Sequence, residues 1–260
     1  FANYVLGDTE IEKTEYVFVS DLFHQQYVGG AELSLKTLIE SCPGSITLAN
    51  SSVVDEQFID FYKESKWIFG NIADLKSNSI SRLIEAGVDY TFIEFDYKNT
   101  ERGNLIEDFI SSSKSTFFMS EEQRRIYQAH LPEVEAANTH VLSSLFDDDF
   151  FERISLLNNK YKDQPRDDKW VVLGSNSWVK GALQSENWCK ENNVNYDLIF
   201  GVEYDQFLKR LAQAKGLCAL PAGYDTCPRL VIEAKLLGCE LQTNEYVQHR
   251  DEEWFAGTTE

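Results

Sequence analysis

The sequence predicts an α/β fold that is divided into two domains. Short apolar segments alternate along the chain with segments whose apolar residues recur at helical spacing, which is the pattern of strands joined by helices. The chain has 260 residues, enough for two domains of ordinary size. Its hydrophobic content of 43%, with 13% aromatic residues, is sufficient for the apolar cores of both domains.

In the first half of the chain, each strand is predicted from a short run of β-branched and aromatic residues. The predicted strands are residues 16–21, 46–49, 66–70, 90–95 and 115–120. The first helix is predicted to begin near Ala31 and to end at Pro43-Gly44, because apolar residues recur between them at helical spacing. Further helices are predicted at about 55–63, around 80–86 and at 121–130.

The second half of the chain repeats this alternation. Strands are predicted at 170–174, 196–201 and 216–221. A helix is predicted at 203–214, where apolar side chains fall on one face of the helix. The residues of that face are Tyr204, Phe207, Leu208 and Leu211.

The most informative segment is Asp225 to Glu233, with the sequence Asp-Thr-Cys-Pro-Arg-Leu-Val-Ile-Glu. It follows a predicted strand and a tight turn at Gly223, and it predicts a helix with Pro228 in its first turn. The N–H groups within residues 226–229, where Pro228 has none, would form a positive helix end suited to a phosphate. Because two carboxylates bracket this end, the segment fits a ligand that has both phosphates and hydroxyls, such as a nucleotide sugar.

This segment resembles the acidic-x7-Glu signature of the family 4 (group 1) glycosyltransferases. The resemblance implies that Glu233 binds the ribose hydroxyls of the nucleotide and that Asp225 lies by the donor sugar, in a position where the family usually has Glu. The other interpretation is an ordinary strand, turn and helix, with Arg229 and Glu233 paired one turn apart on the helix surface.

Two further segments resemble the same family. The loop 175–181 is similar to the Gly-Arg…Lys-Gly loop that grips the donor diphosphate, with Lys180 in the Lys position. Ser175 occupies the Arg position, so half of the charge clamp is missing. The sequence Gly-Gly-Ala-Glu at 29–32 is similar to the first strand–helix junction, where two glycines let the backbone approach the donor closely.

The resemblance implies a GT-B fold, in which two Rossmann-like domains face each other across a cleft, here in a compact, trimmed version. It places the domain boundary between residues 145 and 146, so that residues 1–145 form the acceptor-side domain. Residues 146–260 would form the domain that binds the donor nucleotide. In that domain, Gly201 and Val202 would lie near the nucleobase.

The activity implied is transfer of a sugar from a nucleoside diphosphate sugar, UDP being one candidate nucleotide, to a hydroxyl acceptor. The family reaction generally retains the anomeric configuration and needs no metal ion or other cofactor, since the donor is a co-substrate. The main catalytic task would be to stabilise the departing diphosphate, by Lys180 and backbone N–H dipoles. Asp225, Lys180 and Glu233 are therefore the predicted catalytic residues. The predicted donor contacts are Gly29, Gly30, Ser175, Lys180, Gly201, Val202, Thr226, Cys227, Pro228, Arg229 and Glu233.

Two other functions fit the same segments. One is a nucleotide-sugar epimerase on the same fold, which would act on the donor sugar and need no acceptor groove. The other is a catalytically degraded module that binds a nucleotide sugar, an interpretation that the missing basic residue at Ser175 favours.

The acceptor side offers weaker candidates. Glu94, Asp96 and Lys98 alternate at the carboxyl end of a predicted strand, where open α/β sheets bind ligands, and Arg102 follows. They could orient an acceptor hydroxyl, contact the donor across the cleft, or satisfy one another in salt bridges. His24, in the loop before Gly29, could polarise an acceptor, contact the donor phosphate or simply be exposed. The sequence leaves open whether the acceptor is a glycan, a lipid or a small molecule.

Composition excludes several classes of function. A net charge of −19 argues against nucleic acid as a partner, because phosphate backbones attract basic surfaces. The longest apolar run falls short of the roughly eighteen residues of a membrane span, and the start of the chain lacks a signal-peptide pattern, so we expect a cytoplasmic protein. Five scattered cysteines fit a reduced compartment. The acidic run 147–149 is predicted to begin a helix rather than to bind a metal.

Overall fold

The computed structural model describes residues 13–97, 103–131, 133–136 and 138–257. The chain divides into two compact units, and the division falls between Leu145 and Phe146. Each unit has its own parallel sheet. Among the described helices, none has the combination of length and apolar character that crossing a bilayer requires.

Within the described residues, the sheet of the first unit contains six parallel strands. They are β1 (Tyr16–Ser20), β2 (Ile46–Asn50), β3 (Lys66–Phe69), β4 (Tyr90–Glu94), β5 (Ser115–Phe118) and β6 (Thr139–Val141). Their order in the sheet is β2-β1-β3-β4-β5-β6, and Tyr16 of β1 lies opposite Ile46 on one side and Lys66 on the other. Because parallel strands need helical crossovers, the sheet is accompanied by helices that cover its faces.

Two of the described helices of the first unit begin at a capping side chain. The described helices are α1 (Gly30–Glu40), α2 (Glu56–Tyr62), α3 (Ser77–Glu85), α4 (Asn104–Ser112), α5 (Glu121–His130) and α6 (Glu133–Ala136). The Asp55 carboxylate accepts a hydrogen bond from the Phe58 N–H at 2.9 Å, and the Ser120 hydroxyl accepts one from Gln123 at 3.0 Å. These bonds satisfy N–H groups that have no partner within the helix.

The core of the first unit is rich in aromatic rings. Trp67 and Phe69 alternate along β3 and are stacked, with ring centres 5.7 Å apart. Tyr90 stacks on Phe109 of α4 at 4.6 Å, and Phe69 meets Phe109 edge-on at 5.2 Å. Phe69 and Phe109 are fully buried. Helix α4 was not predicted from the sequence, although Ile106, Phe109 and Ile110 have the helical spacing of a buried face.

The second unit contains a smaller sheet, with four parallel strands in the described part of this unit. The strands are β7 (Trp170–Leu173), β8 (Tyr196–Ile199), β9 (Gly216–Ala219) and β10 (Glu240–Thr243), and their order in the sheet is β10-β9-β7-β8. The helices are α7 (Asp148–Tyr161), α8 (Ala182–Glu191), α9 (Tyr204–Gln213), α10 (Arg229–Leu236) and α11 (Glu253–Ala256).

The acidic run 147–149 begins α7, as predicted. The Asp147 carboxylate accepts a hydrogen bond from the Phe150 N–H at 2.8 Å and so caps the helix. Asp148 and Asp149 lie in the first turn, where the helix dipole favours negative charge.

A single arginine holds the ends of two helices of this unit. Arg166 donates to the carbonyl oxygens of Leu211 at 3.3 Å and Ala214 at 2.8 Å, at the end of α9, and also to that of Leu237, just after α10. A cation is favourable at a helix carboxyl end, where carbonyl groups lack partners. Arg166 therefore fixes α9 and α10 relative to each other.

Candidate functional site in the second unit

Two loops of the second unit begin at the same edge of the sheet, the one formed by the carboxyl ends of its strands. One follows β7 and the other follows β9, and these strands are neighbours in a parallel sheet. The Ala222 N–H donates to the Val179 carbonyl oxygen at 3.0 Å, so the two loops are hydrogen-bonded to each other. Open parallel sheets bind ligands at this edge.

Gly181 sets how closely the two loops approach. Its φ is +63°, a left-handed conformation that suits glycine, and a Cβ atom there would overlap the carbonyl oxygen of Leu220. The close approach places Lys180, the residue before it, beside the loop that follows β9.

Lys180 and Asp225 form an ion pair. The Lys180 Nζ lies 2.8 Å from Asp225 Oδ2, with 37% of the lysine side chain and 11% of the aspartate side chain exposed. The sequence predicted both residues as part of the donor site, from separate segments, and the structure brings them into contact. A partly exposed pair of this kind contributes only about 1 kcal/mol to stability, so ligand charges can compete for either partner.

The backbone of Asp225 is held by a segment that sequence reasoning did not identify. Its N–H donates to the Tyr246 carbonyl oxygen at 2.8 Å, and its own carbonyl oxygen accepts from the Gln248 N–H at 3.2 Å. Asp225 and Val247 form an isolated parallel bridge. Segment 244–248 lies about twenty residues beyond Asp225 and has no motif that would have revealed this role.

Glu233 forms the one-turn pair with Arg229 that the alternative interpretation expected, but it is buried, with 2% of its surface exposed, and does not lie on the helix surface. Its Oε1 accepts a hydrogen bond from the Tyr204 hydroxyl at 2.6 Å, and the Arg229 Nε lies 3.6 Å from the same oxygen. Burial raises the pKa of Glu233, while Tyr204 and Arg229 act in the opposite direction. Burial and the neighbouring carboxylate raise the pKa of Tyr204.

Arg229 connects this cluster to the start of the second unit. Its guanidinium group lies over the Phe146 ring, 4.0 Å from the ring centre, and the residue is 8% exposed. Cation–π contact suits a buried arginine that has little access to water. Phe146 and Tyr204 were not predicted as site residues, because only the folded structure places them beside Arg229 and Glu233.

The start of α10 differs from the prediction. Pro228 was expected within the first turn, but it is the N-cap residue, and the helix begins at Arg229. Thr226 and Cys227 lie in the loop before the helix and are each 7% exposed. Proline has no N–H group to donate, so it can occupy the residue just before the helix as well as the first turn. The residues that lead into the helix are therefore enclosed by the protein.

The remaining predicted donor residues of this unit lie in loops. The Ser175 hydroxyl accepts a hydrogen bond from the Ser177 N–H at 3.1 Å and so shapes the loop that leads to Lys180. Gly201 has a φ of +64° and follows β8. Next to it, Val202 is 44% exposed and lines a cavity of about 330 Å³ with Phe200, Gln206 and Arg210.

In the first unit, the two glycines lie at the start of α1. Gly29 is its N-cap residue, and a Cβ atom there would overlap the Glu32 carboxylate and come within 2.7 Å of the Tyr27 ring. Gly30 is the first residue of the helix. His24 lies in the turn that precedes them, and burial lowers its pKa, with a smaller effect from Lys36.

The two acidic candidates of the first unit differ in burial. Glu94 is fully buried, and its Oε2 accepts a hydrogen bond from the Tyr127 hydroxyl at 2.7 Å. Asp96 is half-buried, and its N–H donates to Glu94 Oε1 at 3.3 Å. Lys98 and Arg102, the other members of this predicted cluster, lie outside the described residues.

No protein-family model and no curated protein matches the chain in sequence. Among solved structures, the chain is similar to Anabaena HepE in complex with UDP and glucose, with a TM-score of 0.55 and 13% identity over 88% of this chain and 80% of that one. It is also similar to the trehalose-6-phosphate synthase OtsA, with a TM-score of 0.60 and 9% identity over 92% of this chain and 86% of that one.

A third similar structure is a UDP-forming α,α-trehalose-phosphate synthase from Burkholderia xenovorans. Its TM-score is 0.57 and its identity 9%, over 91% of this chain and 85% of that one. These similarities confirm the predicted GT-B fold in a compact version. At such low identity they establish the fold alone, and membership of family 4 stays a prediction.

Proposed function

We propose that this chain is a glycosyltransferase that moves a sugar from a nucleoside diphosphate sugar to a hydroxyl acceptor. The observation that carries the proposal is the contact between Lys180 and Asp225 in a domain of the GT-B fold. The two residues belong to segments that resemble the donor site of family 4 enzymes. The names of the similar structures, which include UDP, glucose and a UDP-forming synthase, favour a UDP-sugar as donor.

The ion pair suggests how a donor would bind. A diphosphate carries more negative charge than one carboxylate, so it would displace Asp225 from the Lys180 ammonium group. The released carboxylate could then accept hydrogen bonds from the sugar hydroxyls. In the transition state Lys180 would stabilise the negative charge that develops on the departing diphosphate.

Glu233 would bind the ribose through the oxygen that Tyr204 leaves available. Oε1 carries both the hydrogen bond from Tyr204 and the contact with Arg229. A carboxylate can accept several hydrogen bonds, so Oε2 could accept one from a ribose hydroxyl. Gly201 and Val202, beside the cavity of the same unit, would lie near the base.

We propose that the first unit supplies the acceptor contacts, with Asp96 and His24 as its partly accessible candidates. Gly29 and Gly30 would let the backbone approach the donor. Retention of the anomeric configuration and independence from metal ions are also proposals, which rest on the family resemblance.

A nucleotide-sugar-binding module without transfer activity is the second candidate. Ser175 offers a hydroxyl where the family has a cation, and that hydroxyl already accepts a hydrogen bond from the protein backbone. Donor binding with no turnover would favour this candidate over a transferase.

The proposal is tested by calorimetric titration with UDP-, GDP-, ADP- and TDP-sugars, followed by single-turnover assays with and without EDTA. The wild type is expected to bind one of these donors, and to bind its 2′,3′-dideoxy analogue roughly tenfold or more weakly, because the hydroxyls that Glu233 accepts from are absent. Lys180→Ala should weaken binding of the diphosphate.

Glu233→Gln should lose most of the discrimination against the dideoxy analogue. The matched control is Glu186→Gln, because Glu186 also accepts a hydrogen bond from a tyrosine, Tyr196, at 3.0 Å, but lies on α8. If the Gln variant discriminates as well as the wild type does, Glu233 does not bind the ribose. If no donor binds the wild type, the proposed function is wrong.

A further inference from the structure

Trp178 is a large apolar residue that the structure leaves mostly uncovered. It begins the 3₁₀ turn Trp178–Lys180, and 71% of its surface is exposed. Exposing an indole ring to water is unfavourable, and tryptophan is enriched at interfaces where one side of the residue is apolar and the other is wet. The position of Trp178, two residues before Lys180, places it at the candidate donor site.

The ring of Trp178 packs against the loop that follows β9. A Cβ atom at Gly223 would lie 2.8 Å from Cη2 and 3.0 Å from Cζ3 of the indole, so the ring rests on the backbone of Gly223. The hydrogen bond of 3.0 Å from the Ala222 N–H to the Val179 carbonyl oxygen fixes the residues next to both. Gly223, two residues before Asp225, therefore supports the indole ring.

We propose that the exposed part of the Trp178 ring is a stacking platform for the sugar ring of the donor, an inference that rests on the proposed function. The face of an aromatic ring is negatively polarised, and the C–H groups on one face of a pyranose are positively polarised, so the two attract each other. The hydroxyl groups at the edge of the same sugar need acceptors, and Asp225, which the diphosphate would release from Lys180, provides one.

The charged pair distinguishes a sugar from an apolar partner. An apolar protein surface placed on Trp178 would also cover Lys180 and Asp225, and the cost of removing both charges from water can exceed their attraction. A sugar instead offers hydroxyl groups to the same charges while its C–H face covers the ring. The arrangement therefore suits a carbohydrate better than a hydrophobic peptide.

The test compares UDP with UDP-glucose by calorimetric titration, or another nucleotide and its sugar if the wild type prefers one. Trp178→Ala should weaken binding of the nucleotide sugar roughly five- to tenfold and leave binding of the nucleotide within about twofold. Trp178→Phe, which keeps an aromatic face, should recover most of the lost affinity. Leu156→Ala is the control, because Leu156 is 70% exposed but lies on α7.

Tryptophan fluorescence gives a second measurement. Addition of the nucleotide sugar should change the emission of the wild type more than the nucleotide alone does, and Trp178→Phe should remove this difference. If Trp178→Ala weakens both ligands equally, or neither, the platform is wrong while the proposed function stands. If the wild type binds neither nucleotide nor nucleotide sugar, the proposed function and the platform are both wrong.

Discussion

At the scale of single residues, His249 is buried in an unusual environment. It has no exposed surface, and neither ring nitrogen has a hydrogen-bond partner among the residues that the structure describes. Its ring stacks on Trp254 at 5.4 Å and meets Phe255 edge-on at 4.5 Å. Burial, with a smaller effect from Lys235, lowers the pKa of His249 to about 4. The folded chain therefore holds this imidazole in its neutral form.

This burial predicts a loss of stability in mild acid. His249 binds a proton near pH 6.5 in the unfolded chain but only near pH 4 in the folded chain. Protonation of His249 therefore costs no stability above about pH 6.5 and lowers the free energy of unfolding as the pH drops towards 4. The expected loss from this residue is about 2 kcal/mol at pH 5 and about 3 kcal/mol at pH 4. His249→Phe should remove that loss, as measured by urea unfolding at pH 7 and pH 5.

The control for this prediction is His140→Phe at an exposed position of β6. Other groups titrate in the wild type and both variants, so the informative quantity is the difference between each variant and the wild type. If His249→Phe and the wild type differ in free energy of unfolding by the same amount at pH 7 and at pH 5, the folded protein accommodates the charged imidazole.

Individual site residues differ in how far the sequence reveals them. Lys180 and Asp225 were predicted because each lies in a segment that resembles a motif of family 4. From the sequence, Tyr204 is recognisable only as part of an apolar helix face. Its hydroxyl group gains a role from Glu233, twenty-nine positions later, and such a contact depends on how α9 packs against α10.

At the scale of elements, the loops depend on glycines whose surroundings differ. Gly181 and Gly201 have nearly the same positive φ, +63° and +64°. A Cβ atom at Gly181 would overlap the Leu220 carbonyl oxygen, whereas no described heavy atom lies within 4 Å of the corresponding place at Gly201. The two positions therefore separate the cost of the backbone conformation from the cost of a steric clash.

Replacing each glycine by alanine tests this difference. Gly201→Ala should lower the free energy of unfolding by about 1 kcal/mol, since it adds only the left-handed strain. Gly181→Ala should cost about 1–3 kcal/mol more, because the loop after β7 must also move away from Leu220. Urea unfolding followed by circular dichroism measures both. Equal losses would contradict the close approach of the two loops.

The strands and helices with strong periodicity were predictable, and their ends less so. Helix α5 covers residues 121–130 as predicted, because Ser120 caps its start and a proline follows its end. Helix α10 starts at Arg229, after the proline that was expected in its first turn, since a proline is compatible both with the first turn and with the cap. Short elements such as β10 were not predicted, because four residues of mixed character carry little periodic signal.

At the scale of the whole molecule, the two-domain α/β fold was predictable from the alternation of strands and helices, and the GT-B fold from three short motifs that resemble those of family 4. The parallel sheets explain why this succeeded, since parallel strands are joined by crossovers that repeat the same pattern. The burial of Glu94 and Glu233 was not predictable, because a carboxylate in a sequence gives no sign of the tyrosine that will cover it.

The net charge of −19 predicts that salt stabilises the protein. Raising the ionic strength from about 0.01 to 0.2 M shortens the screening length from about 30 Å to below 10 Å and so reduces repulsion among acidic groups. Exposed pairs such as Arg153–Asp205 lose only a few tenths of a kcal/mol each by the same screening. We therefore expect the urea midpoint to rise in both NaCl and KCl. A lower midpoint in both salts would mean that ion pairs outweigh the repulsion.

The anchoring of Asp225 by residues 244–248 has a consequence for engineering this chain. A fragment that stops at residue 243 would still contain every motif from which the donor site was inferred. It would lack the backbone groups of Tyr246 and Gln248, however, and the aspartate would no longer be fixed opposite its lysine. The boundary of a minimal second unit is thus determined by this returning segment and not by the last recognisable motif.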